Sequence, residues 1–189
     1  KEVVKIAKAM REVDPTIKIG SSGVDHKIVG DQLDFLTFSN YDNFLPMEEY
    51  RKREDYPLVR WLDGKKKLKA LGYEIFLTEF NAVSFEMPRQ WNHDVAHCLE
   101  LFDMIGQIVS EETIDCAMLW GTRWMEEEHS AFIWYLVDEK NNLTPIGYVF
   151  KMWSKHIKPN VVAVTDPEQM RSFALHDPET GELSVMIVN

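Results

Sequence analysis

Glu79 closes the run Ile75-Phe76-Leu77-Thr78, whose β-branched and aromatic content has strand character. A carboxylate at the mouth of a buried strand is costly unless it is hydrogen-bonded or used in chemistry. It can act on a substrate, or it can serve as a structural partner for an arginine or a helix N-terminus. Two other strand-like runs end in comparable clusters. Phe35-Leu36-Thr37-Phe38 leads into Ser39-Asn40-Tyr41-Asp42-Asn43, and Ile114 to Trp120 leads into Gly121, Arg123 and Trp124. In parallel α/β sheets and barrels the carboxyl ends of the strands carry the chemistry. Glu79, Tyr41 and Trp120, with their neighbours, are therefore the first candidates.

Other constellations carry less. His93-Asp94-Val95-Ala96-His97 has the four-residue spacing of a zinc-binding helix, but Asp stands where the general-base Glu belongs and no third ligand accompanies it. A helix first turn, with Asp94 favouring the dipole, describes it better. Glu126-Glu127-Glu128-His129 fits a solvated loop, and Cys98 and Cys116 fit buried free thiols. The sequence contains no glycine-rich phosphate loop, nucleophile elbow or Cys/His catalytic pattern, so no cofactor and no metal are expected.

The positioning elements follow from periodicity. Val3, Ile6, Ala7, Met10 and Val13 have helical spacing, and Asp14-Pro15 ends that helix. Strands are expected over Ile17–Gly20, Phe35–Phe38, Glu74–Glu79 and Ile114–Trp120. Between them lie a charged stretch from Met47 to Leu71, expected as two helices broken near Tyr56-Pro57, and a helix from about Asn92 to Val109. A hairpin near Phe132–Val137 turning at Asn141-Asn142, then a helix opened by Thr144-Pro145, complete this part. Strands alternating with helices at this spacing predict βα units with parallel pairing. After Pro159 short strands dominate, with Ser172–Leu175 and Leu183–Val188 joined by a tight turn at Asp177-Pro178-Glu179-Thr180-Gly181.

The chain has 189 residues, 45% of them hydrophobic, and a formal charge of −10. That suffices for a sizeable core and excludes a disordered or disulfide-stapled miniprotein. The acidic balance, with no Lys/Arg tract and no apolar run of about 18 residues, argues against nucleic-acid and membrane partners.

The ordered set of motifs resembles a known group. Ile75-Phe76-Leu77-Thr78-Glu79-Phe80-Asn81 is similar to the strand-seven nucleophile motif of retaining glycoside hydrolases of clan A, the (β/α)8 barrel enzymes. Ser39-Asn40-Tyr41 resembles the end of strand six, and Cys116-Ala117-Met118-Leu119-Trp120 resembles strand eight with its sugar-platform tryptophan. Thr144-Pro145-Ile146-Gly147-Tyr148 is similar to the opening of the last barrel helix in the α-L-arabinofuranosidase and β-xylosidase families, where a β-sandwich follows.

This resemblance implies an α/β fold. Residues 1–157 would form the C-terminal half, strands five to eight, of a TIM barrel, and residues 158–189 would begin a β-sandwich. It implies Glu79 as nucleophile, Tyr41 as the donor that orients it, and Trp120, Trp124, Arg123, Asn43 and Asn40 as substrate-binding residues. Two departures matter. Asn40 stands where strand six usually carries a histidine, and the Asn-Glu pair that holds the clan's acid/base on strand four does not occur here. The proton donor is thus expected upstream of Lys1, with the missing half-barrel, or a second copy of the chain, as partner. The expected substrate is a plant or algal poly- or oligosaccharide, neutral rather than anionic given the chain's own charge, and the expected setting is secreted or periplasmic. The alternative is a non-catalytic carbohydrate-binding or assembly module on the same architecture.

Overall fold

The structure is a computed structural model that describes residues 2–22, 28, 32–41, 57–82, 95–123, 135–166 and 170–188. Helix α1 (Glu2–Val13) comes first, with Glu2 in its first turn and Arg11 in its last, both favourable to the helix dipole. Strands β1 (Gly20–Ser22), β2 (Phe35–Tyr41), β3 (Glu74–Asn81) and β4 (Cys116–Leu119) form one sheet in sequential order. Every pairing in it is parallel. The connections include α2 (Pro57–Lys69) and α3 (Val95–Ser110), and α4 (Pro145–His156) follows β4. The alternating pattern in the sequence therefore produced the βα layers it predicts.

Two strands start later than expected, because the residues before them are held in other hydrogen bonds. Ile19 is held by the residue preceding β2: its N–H donates to Asp34 Oδ2 at 2.7 Å and its carbonyl accepts the Asp34 N–H at 2.8 Å. The ladder begins only at Gly20. Likewise Ile114 donates to Glu111 in a turn, and β4 begins at Cys116. Asp115, just before β4, repeats the Asp34 device by accepting the Ile75 N–H at 2.7 Å and pairing with Lys69. The first helix of the Met47–Leu71 stretch and the Asn92 cap lie outside the described residues. The expected hairpin lies partly outside them; the described part is a single antiparallel bridge, Val137 to Leu143, around a turn with Asn141 at φ 63°.

Asp115 yields a stability prediction. Burial disfavours its charge, but the Lys69 ammonium and the Ile75 N–H outweigh that and hold its carboxyl below the ordinary value. A lowered folded-state pKa adds stability that is present above the ordinary carboxylate value and lost as pH falls from there through the lowered folded-state pKa. Asp115→Ala should therefore cost about 1–3 kcal/mol near neutrality, with the gap to wild type narrowing on acidification. Urea unfolding at about pH 7 and about pH 3 measures this; a gap that does not change with pH would contradict it.

After α4 the chain forms an antiparallel sheet, β5 (Asn160–Val162), β6 (Arg171–His176) and β7 (Leu183–Val188). The β6–β7 turn falls at Asp177–Gly181 as expected, with Gly181 at φ 74°. On β7, Ser184, Met186 and Val188 are buried while Leu183, Val185 and Ile187 are exposed, the period of two of a sheet covered on one side. The buried side sits on α3. A Cβ on Gly106 would lie 2.3 Å from the Phe173 ring, so only glycine admits that approach. Arg171 also reaches the buried Asp103 at 3.1 Å. One core joins Leu77 and Phe80 of β3, Leu101, Met104 and Ile108 of α3, Trp153 of α4, and Phe173 and Met186 of the second sheet.

Candidate active site

The site is built at the carboxyl end of β3. Leu77 and Phe80 both enter the helix-side core, although residues three apart on a regular strand face opposite ways. A bulge resolves the conflict. β2 pairs Phe38 with Leu77 and then Ser39 with Glu79, and β4 pairs Ala117 with Leu77 and then Leu119 with Phe80. Both neighbours step past one extra residue in β3, and on the β2 side that residue is Thr78, whose hydroxyl donates to the Phe38 carbonyl at 3.2 Å. The bulge therefore re-aims the strand immediately before Glu79, a common use of bulges beside active sites.

Glu79 meets Tyr41 there. The Tyr41 hydroxyl donates to Glu79 Oε2 at 3.0 Å. Burial first, then this hydrogen bond and the Glu79 charge, push the Tyr41 phenol well above its ordinary pKa, with a smaller push from nearby Tyr135. Tyr41 thus remains a proton-bearing donor throughout the neutral range. Tyr135 is itself buried, which raises its phenol too. Sequence reasoning passed over Tyr135 because it lies in the run taken as a hairpin.

Trp120 follows β4 and is 37% exposed. Its backbone is tied to β3 twice: its N–H donates to the Phe80 carbonyl at 2.9 Å, and its carbonyl accepts the Asn81 side-chain amide at 2.7 Å. Its peptide bond to Gly121 is cis. Asn81 and His97 are both fully buried, with His97 Nε2 3.1 Å from Asn81 Oδ1. The ring nitrogen that the His-x-x-x-His spacing would offer to a metal is thus engaged with Asn81. Among the described residues no group of three or more His, Cys, Asp or Glu side chains could hold a metal ion.

The remaining candidates separate. Asn40 alternates with Tyr41 on β2 and so lies on the Phe38 side of the strand, with its amide nitrogen buried and without a hydrogen-bond partner among the described residues. Arg123 is exposed and donates to Asn141 Oδ1 at 2.8 Å and the Glu139 carbonyl at 3.0 Å. Asn43 and Trp124 lie outside the described residues. The structure thus joins Tyr41 directly to Glu79, and links the Glu79 strand to Trp120 through Asn81.

The parallel sheet with its flanking helices defines a class of fold, and solved structures match that fold. The beta-xylosidase of Caulobacter crescentus CB15 superposes with a TM-score of 0.63 at 16% identity, over 91% of this chain and 39% of that one. The GH39 enzyme of Xanthomonas axonopodis pv. citri gives 0.66 at 14% identity, over 93% and 39%. A family 51 alpha-L-arabinofuranosidase of Bifidobacterium longum gives 0.60 at 11% identity, over 99% and 48%. These neighbours are clan A glycoside hydrolases, and the chain has a mixed α/β fold matching part of their TIM-barrel structures. It spans less than half the length of each of the three. No protein-family profile and no curated protein sequence matches the chain.

Proposed function

We propose that the chain is part of a retaining glycoside hydrolase, with Glu79 as its nucleophile. Residues 1–157 would supply strands five to eight of the barrel and residues 158–189 the first strands of a β-sandwich. The observation that carries the reading is the Tyr41 hydroxyl 3.0 Å from Glu79 Oε2 at the mouth of a parallel sheet. The half-barrel is supported by apolar residues left uncovered on the first and last helices of the βα layers. Ile6 and Val13 on α1 are 57% and 88% exposed, and Tyr148 and Met152 on α4 are 56% and 50% exposed. Further βα units, from residues upstream of Lys1 or from a second copy, would cover them.

In this mechanism a Glu79 oxygen attacks the anomeric carbon and forms a glycosyl ester. The bond to the leaving oxygen breaks as that oxygen takes a proton from a second carboxylic acid about 5–5.5 Å away, contributed by strand four of the completed barrel. The same group, now a carboxylate, removes a proton from water, which attacks the anomeric carbon and releases Glu79. Tyr41 holds the attacking carboxylate in one orientation, and Trp120 offers a flat apolar face to the C–H side of a sugar ring. The substrate would be a neutral plant or algal poly- or oligosaccharide.

Tyr41→Phe removes one hydrogen bond to a charged group, worth about 1.5–3 kcal/mol, so kcat should fall about 10- to 100-fold. Steady-state kinetics on an aryl glycoside measures this, and an unchanged kcat would remove Tyr41 from the mechanism. The stereochemical course tests the function itself. Proton NMR of aryl β-xyloside and α-L-arabinofuranoside hydrolysis by the full-length protein should show the first-formed sugar with the substrate's anomeric configuration. An inverted first product, or no hydrolysis of either, would overturn the proposal.

A further inference from the structure

Asn81 lies two residues beyond Glu79 and joins three elements. Its Oδ1 accepts the Ala82 N–H at 2.8 Å, and its Nδ2 donates to the Trp120 carbonyl at 2.7 Å. Both partners are backbone groups with fixed roles, so the amide fits only one way round. Oδ1 therefore faces His97 Nε2 at 3.1 Å, and the imidazole must carry a proton on Nε2 in order to donate. Asn81 and His97 are each 0% exposed, so water cannot replace a lost partner. The chain of contacts runs from α3 through the nucleophile strand to the backbone of the tryptophan after β4.

We infer that His97 is a positioning residue: through Asn81 it fixes the Trp120 platform relative to Glu79. The inference rests on the proposed roles of Glu79 and Trp120 in sugar cleavage. A structural histidine elsewhere in the core would affect how much protein folds. His97 should instead affect how well the folded protein holds a sugar, because the atom it restrains leads directly to the Trp120 backbone. A platform that touches the sugar alike in the ground state and the transition state acts on KM and leaves kcat nearly unchanged.

The test compares His97→Gln, whose side-chain N–H can occupy the Nε2 position, with His97→Leu, which fills similar volume and donates nothing. In the full-length protein, His97→Leu should raise KM for an aryl glycoside about tenfold, with kcat per folded molecule within about twofold, as expected for loss of one buried hydrogen bond. His97→Gln should stay within about twofold of wild type in both constants. An unchanged KM in His97→Leu, with only the folded fraction reduced, would overturn the inference. A second readout needs no turnover: the 15N–1H resonances of the Trp120 indole and the Gly121 amide should move in His97→Leu and stay in place in His97→Gln. If neither moves in His97→Leu, the brace does not act on Trp120. A wild-type protein that cleaves no glycoside defeats the proposed function instead, and the resonances still decide whether His97 holds Trp120.

Discussion

Glu79→Ala in the full-length protein should lower aryl glycoside hydrolysis on the order of 10⁴-fold or more, the scale seen when a covalent nucleophile is removed. Tyr41 donates to this carboxylate, and the bulge in β3 directs the strand just ahead of it. Truncation to alanine also leaves a small space beside the Tyr41 hydroxyl. Added azide can enter it, attack the anomeric carbon and expel the leaving group, giving a glycosyl azide of inverted configuration. Recovery of turnover with azide would place the missing carboxylate on the face that a nucleophile uses. Unchanged turnover without azide would exclude Glu79 from the chemistry.

Trp153→Ala should have the largest effect on stability, about 3–5 kcal/mol, the range for truncating a fully buried aromatic side chain. Trp153 is 1% exposed, and its indole N–H donates to the Phe102 carbonyl at 3.0 Å. Its ring lies 5.1 Å from Phe102 and 5.7 Å from Phe173, between centroids. It therefore joins α4 and α3 to the second sheet, and its loss would open a cavity where the two layers meet. Trp153→Phe should retain part of the packing and lose the hydrogen bond, giving an intermediate cost. Chemical denaturation measures both variants. A cost below about 1 kcal/mol for the alanine variant would mean that the second sheet is not anchored through this residue.

The parts of the fold legible in the sequence are those set by local periodicity. The strand from Glu74 was plain because the run Ile75-Phe76-Leu77-Thr78 has strand-type composition, and the helix opened by Thr144-Pro145 was plain because a cap acts locally: Thr144 accepts the Gly147 N–H at 3.2 Å. Strand starts were less legible: Asp34 captures the Ile19 N–H 15 residues away, and Ile114 is taken into a turn by the Glu111 carbonyl. The bulge after Leu77 could not be read at all, since an unpaired Thr78 is defined by the registers of two other strands. The pairing of Tyr41 with Glu79 came from family resemblance rather than from spacing. His97 drew attention only through its distance from His93, yet its partner is Asn81, 16 residues earlier in a different element.

The central claim is that Glu79 forms a bond to sugar, and a covalent label tests it most directly. A 2-deoxy-2-fluoro glycoside with a good leaving group should react with the full-length protein and slow its own release, leaving a glycosyl ester. Peptide mass spectrometry should then find the added fluorosugar mass on Glu79, and Glu79→Gln should take up none. A label on another carboxylate, or sugar bound without any covalent product, would contradict the account, and the second outcome would favour a carbohydrate-binding module on the same fold.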